Sequence, residues 1–106
     1  RHRVTKLLGR LFYAPTSNIA VQFHPCYREW IRRSTDIEPK IRMSMVKYLV
    51  SILSNKSGEK DLCREATTAL VRMIKQDPSI DVRVRGVHDV CDLAHSQESN
   101  DSALSL

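Results

Sequence analysis

The chain has 106 residues, of which 42% are hydrophobic and 27% charged, and its 17 basic and 12 acidic side chains leave a net charge of +5. That is the make-up of an ordinary globular chain, with no run near the roughly 18 apolar residues of a membrane span and no signal-peptide pattern, so no membrane partner is expected. Cys26, Cys63 and Cys91 are odd in number and scattered, so no disulfide framework is implied and a reducing compartment fits best.

In chain order, residues 1–12 are predicted as a first helix. Val4, Leu7, Leu8, Leu11 and Phe12 recur at helical spacing, with Arg3, Lys6 and Arg10 on the other face. Pro15 ends it. Thr16, Ser17 and Asn18 can cap a short helical turn over residues 19–23. Pro25 suits the start of the next helix, which sets Tyr27, Trp30 and Ile31 on one face and stops near Thr35, where Asp36 begins a turn. Pro39 opens a longer helix through Ser54 with Ile41, Met45, Tyr48, Leu49, Ile52 and Leu53 inward. Residues 55–58 read as a loop closed by Gly58. Glu59 and Asp61 favour the positive end of a fourth helix whose buried face is Leu62, Ala66, Ala69, Leu70, Met73 and Ile74. After the turn at Asp77, Pro78 and Ser79, a fifth helix is expected with Val82, Val87, Val90, Cys91 and Ala94 inward. Residues 97–106 have no periodicity and read as a disordered tail.

A repeat underlies this order. Arg1, Arg42 and Arg83 stand 41 residues apart, and the same shift aligns Leu8 with Leu49 and Val90, and Leu11 with Ile52 and Leu93. The turn aspartates Asp36 and Asp77 obey it too. A period near 40 with helical spacing inside each unit is that of a stacked helix-pair solenoid. Residues 1–96 then comprise the second helix of one repeat followed by two whole repeats. Because such arrays need about three repeats for stability, a longer parent array is expected. Arg42 and Arg83, six residues after their aspartates, fit as struts tying turn to helix or repeat to repeat.

Chemistry is sparse. His24 with Cys26, and His88 with Cys91 and His95, lack the paired cysteines of a zinc site, so no metal is expected. No glycine-rich pocket stands near His88 and Cys91 to hold an oxyanion, and Gly9, Gly58 and Gly86 are isolated, so neither catalytic residues nor a bound cofactor are expected. Tyr27, Trp30 and Tyr48 read as core. The better candidate is a ridge: Lys6, Lys47 and His88 fall in one 41-residue column and Arg3, Ser44 and Arg85 in another. Arg3, Lys6, Lys47, Arg85 and His88 are therefore the predicted partner-binding residues, suited to an extended acidic segment. Residues 1–60 carry +8 and residues 61–106 carry −3, which also admits direct nucleic-acid binding.

The pattern of a turn aspartate followed by Ile41-Arg42 or Val82-Arg83 resembles HEAT repeats. More specifically, Arg1, Lys6, Leu7, Leu8, Gly9, Arg10 and Phe12 resemble a stretch of the precocious-dissociation-of-sisters proteins, HEAT-repeat regulators of cohesin. Arg33, Asp36 and Ile37, then Ile41, Arg42, Val46 and Lys47, continue the likeness, as do Asp77, Pro78, Arg83 and Val87. Ser34 and Arg32 depart from it, standing where the family usually has Phe and Gly. The resemblance implies an all-α HEAT-repeat solenoid, a non-enzymatic scaffold in the nucleus and associated with chromatin. Its implied partners are the kleisin subunit of cohesin and the wings-apart-like releasing factor. The competing readings are a HEAT or armadillo-type adaptor for peptide cargo in nuclear transport and a basic nucleic-acid-binding solenoid.

Overall fold

Each apolar stripe in the sequence folds as a helix. The computed structural model describes residues 2–13, 19–54 and 60–104, with Tyr13, Ile19 and residues 97–104 described by backbone alone. The elements are α1 (His2–Tyr13), α2 (Ile19–Gln22), α3 (His24–Ile31), a 3-10 turn (Arg32–Thr35), α4 (Pro39–Ser54), α5 (Lys60–Gln76) and α6 (Ile80–Leu104). Among the described residues there is no strand, so the fold is all-α. Pro25 occupies the first turn of α3, where its missing N–H leaves no bond unmade. The two turns are built alike. Asp36 Oδ1 accepts from the Glu38 amide and Asp77 Oδ1 from the Ser79 amide, both at 2.9 Å, so each aspartate closes its turn two residues on. The expected loop at residues 55–58 lies outside the described residues.

Helix α4 is the centre of the molecule. It packs between α1 on one side and α6 on the other, while α5 and the 3-10 turn cover a further face. Helices α1 and α4 rise together: His2 Nε2 lies 2.8 Å from Ser44 Oγ, and one turn and more along, Gly9 meets the Tyr48 ring. The core is formed where these helices meet α3 and α5, around Trp30, Tyr27, Ile41, Met45, Leu49 and Val46, all at 1% exposure or less. Phe12 stands 5.3 Å from both Tyr27 and Trp30 by ring centroid, which joins α1 to α3. Each buried polar tip finds an acceptor: Trp30 Nε1 donates to the Thr5 carbonyl and the Tyr27 hydroxyl to that of Leu62, both at 3.0 Å. Tyr27, Trp30 and Tyr48 are core, as expected.

Two expectations need correction. On α1, Thr5, Leu8, Gly9 and Phe12 turn inward with His2 among the described residues, while Val4 (58% exposed), Leu7 (59%) and Leu11 (39%) face out. On α6, Val82 is buried and Val90 partly so, but Val87, Cys91 and Ala94 are exposed. The reason is shared: each of these helices has an apolar arc wider than the contact α4 offers. Of the expected tail, residues 97–104 are described as the end of α6, and residues 105–106 lie outside the described residues. No Gly or Pro follows Gly86, and extending a helix already nucleated needs little local encouragement. The extents are 47 × 34 × 20 Å, those of a compact helical body, not of a visibly elongated array.

Candidate partner-binding surfaces

The five ridge residues sit on three neighbouring helices. Arg3 and Lys6 lie on α1, Lys47 on α4, and Arg85 and His88 on α6, and all five are exposed. Their electrostatics differ. Among the described residues no carboxylate pairs with Arg3, Lys6 or Lys47, and the Lys47 ammonium lies 5.8 Å from the Tyr48 ring centroid. On α6 the charge is compensated: Arg85 Nε is 3.3 Å from Asp89, and His88 Nδ1 is 3.2 Å from Asp89 and 3.5 Å from Asp92. The uncompensated part of the ridge is therefore α1 and α4. His88, Asp89 and Asp92 gather their ligand atoms within 4.8 Å, and Cys91 and His95 do not join them. The carboxylates of that exposed group serve as partners of Arg85 and His88.

Arg42 behaves as the strut its position implies. Its Nε donates to Asp77 Oδ2 at 2.8 Å, and one terminal nitrogen donates to the carbonyls of Asp36 and Ile37 at 2.8 and 2.9 Å. One guanidinium thus ties the turn before α4 to the turn before α6, with both side chains almost fully buried (7% and 2% exposed). Arg83, the equivalent residue of α6, is half-buried and makes no such bond among the described residues. Arg42 reaches 35 residues ahead for its aspartate.

A second surface lies on the opposite layer. Between α3 with its 3-10 extension and α5 runs a hollow of about 410 Å³ whose rim carries Arg28, Arg32, Arg64 and Arg72, against the single acid Glu65. Ile31 and Ala69 supply apolar floor, and Ser34, Thr35 and Thr68 add hydroxyls. An adjoining hollow of about 370 Å³ shares Ser34, Thr35 and Arg72 and continues to Ile37, Met73 and Pro78. Glu65 is the internal fastening, 3.1 Å from His24 Nε2 and 3.2 Å from Arg28 Nε.

A family model described as "Sister chromatid cohesion protein PDS5 protein" matches residues 1–105 of the chain. The chain belongs to the PDS5 family. Over 90 residues it is 33% identical to Sister chromatid cohesion protein PDS5 homolog A of Danio rerio, and equally to homolog B of Mus musculus and of Homo sapiens. The match covers 85% of this chain and 6% of each relative, so the chain spans a small part of the length of the curated PDS5 proteins it resembles. No solved structure matches it.

Of the two surfaces on this PDS5-family segment, the ridge follows columns of the 41-residue repeat and the hollow does not. Arg28 is not singled out by the repeat, and Arg32 stands out only as a departure from the family pattern. The overlooked signal is Arg64, Thr68 and Arg72, spaced four apart along one face of α5.

Proposed function

We propose that this chain is a non-enzymatic scaffold segment of a cohesin regulator, acting in the nucleus on chromatin by binding cohesin subunits. The observation that carries this reading is the PDS5 family match over residues 1–105. It favours a cohesin role over peptide-cargo transport. The architecture proposed is a HEAT-type solenoid of about two and a half helix pairs over residues 1–96. In its support, α1, α4 and α6 form one row and α3 and α5 another. The equivalent turns at Asp36 and Asp77 close identically, and Arg42 links one to the other.

Within that reading, the ridge of Arg3, Lys6, Lys47, Arg85 and His88 engages an extended acidic segment of the kleisin subunit or of the wings-apart-like releasing factor. Arg3, Lys6 and Lys47 carry most of the attraction, since Asp89 and Asp92 already neutralise the α6 end. Affinity capture of the protein from nuclear extract, probed for the kleisin subunit, tests the role: enrichment supports it and recovery of transport cargo in its place overturns it. For the ridge, Lys6→Glu with Lys47→Glu should lower kleisin capture about tenfold while helicity is kept. Unchanged capture removes these residues from the interface.

A further inference from the structure

We propose that the hollow between α3 and α5 is a second docking groove, separate from the ridge, that takes an extended peptide bearing acidic side chains around an apolar anchor. The shape is the first argument. The two hollows share residues and together run beside α5 from Arg64 to Gln76. At helical rise that is about 18 Å. An extended peptide advances about 3.3 Å per residue, so five or six residues lie along it.

The lining is the second argument. Four arginines face one glutamate around the larger hollow, and in the smaller one Arg42 and Arg72 stand with Asp36 and Asp77, so the groove as a whole keeps a cationic excess, concentrated at the larger hollow, that selects an anion. Arg28 stays fastened to Glu65 at 3.2 Å, but two of the other partners are weak competitors: Arg32 reaches Glu29 at 3.4 Å and Arg64 reaches Asp61 at 3.9 Å, with all four of these side chains more than 60% exposed. Exposed pairs of this kind contribute little and exchange readily. Arg72 has no carboxylate partner among the described residues. A guanidinium holds a carboxylate through two parallel hydrogen bonds, which suits aspartate and glutamate side chains.

The floor decides between anions. Ile31, Ala69 and Met73 line the groove, and Ile37, 89% exposed, stands at its far end. Apolar contacts of that kind reward a leucine or isoleucine in the ligand. A nucleic-acid strand would want exposed rings for base stacking, and no described residue lining either hollow is aromatic.

The test uses the chain as it stands and a fluorescein-labelled probe, Glu-Asp-Leu-Glu-Asp-Leu-Glu, followed by fluorescence anisotropy. The probe should bind, weaken as salt is raised, and lose affinity when every acid is replaced by its amide. Arg64→Glu with Arg72→Glu should weaken it about tenfold or more, with the helical circular dichroism unchanged. If that variant loses helicity, Arg64→Gln with Arg72→Gln takes its place and should weaken binding less but in the same direction. The ridge variant Lys6→Glu with Lys47→Glu removes the other cationic surface and should weaken the probe less than the groove variant does. The groove is overturned if the probe does not bind, if the arginine variants bind it normally, or if the ridge variant alone releases it. It is equally overturned if oligothymidine binds at the same arginines more tightly than the probe. The cohesin role stands or falls separately, by kleisin capture.

Discussion

Arg42 shows how much one side chain can hold. Its Nε and one terminal nitrogen satisfy a buried carboxylate and two backbone carbonyls at once. Arg42→Ala leaves Asp77 charged, buried and short of its partner, and should cost about 3–5 kcal/mol in urea unfolding. Arg42→Lys should recover only a minor part, because an ammonium cannot reproduce the planar fork. A Lys variant as stable as wild type would show that charge alone suffices. Tyr27 makes a pH-dependent contribution. Burial foremost, then the Glu65 and Cys63 charges, pushes its phenol well above the ordinary tyrosine range. A raised folded-state value means the contribution is complete below the unfolded pKa of about 10 and is lost as pH rises beyond it. Tyr27→Phe should be less stable near neutrality by about 1 kcal/mol, since the Leu62 carbonyl loses its donor. Its deficit should then shrink as pH is taken above about 10. A deficit that stays constant in urea midpoints across that range would rule the phenol out.

At the level of elements, the close approach of α1 and α4 depends on Gly9. A methyl group there would stand 2.6 Å from Tyr48 Cγ, at the base of a ring fixed to the α4 backbone. Alanine gains about 1 kcal/mol over glycine in helix propensity, yet such overpacking costs about 1–3 kcal/mol. Gly9→Ala should therefore destabilise on balance. Tyr48→Leu in the same chain should recover part of the loss, which a double-mutant cycle measures; additive losses would mean that the two helices simply move apart. The stripes of α4 and α5 are legible because these helices have neighbours on several sides, so apolar spacing and burial coincide from Ile41 to Ile52 and from Leu62 to Met73. On α1 and α6 the same rule overreaches. Periodicity reports what a helix could bury, and Leu7 or Val87 says nothing of whether a neighbour is there. The Asp36 and Asp77 turns are readable for a different reason, since their geometry is set by local side-chain bonds.

For the whole molecule, the row α1–α4–α6 ends in two apolar faces. Val4, Leu7 and Leu11 form one, and Ile80, Val84 and Val87 the other. They differ, so pairing one with the other is head-to-tail. The segment alone should self-associate with rising concentration in sedimentation velocity, and Leu7→Glu with Val84→Glu should return it to a monomer of unchanged helicity. A wild-type chain that stays monomeric at high concentration would show the faces to be too small to pair. The candidate surfaces were unequally legible for a related reason. The ridge columns recur at 41 residues and are seen by sliding the sequence. The groove joins Arg28 and Arg32 to Arg64 and Arg72 across two helices that are out of repeat register, and only their packing brings the four together.

The Arg42 strut has one more consequence. The residues it fastens, Asp36, Ile37 and Asp77, are also those that edge the smaller hollow. That edge is held in place before any ligand arrives. Occupying it requires no ordering of backbone, so the entropy a flexible loop would surrender on binding is already spent in folding.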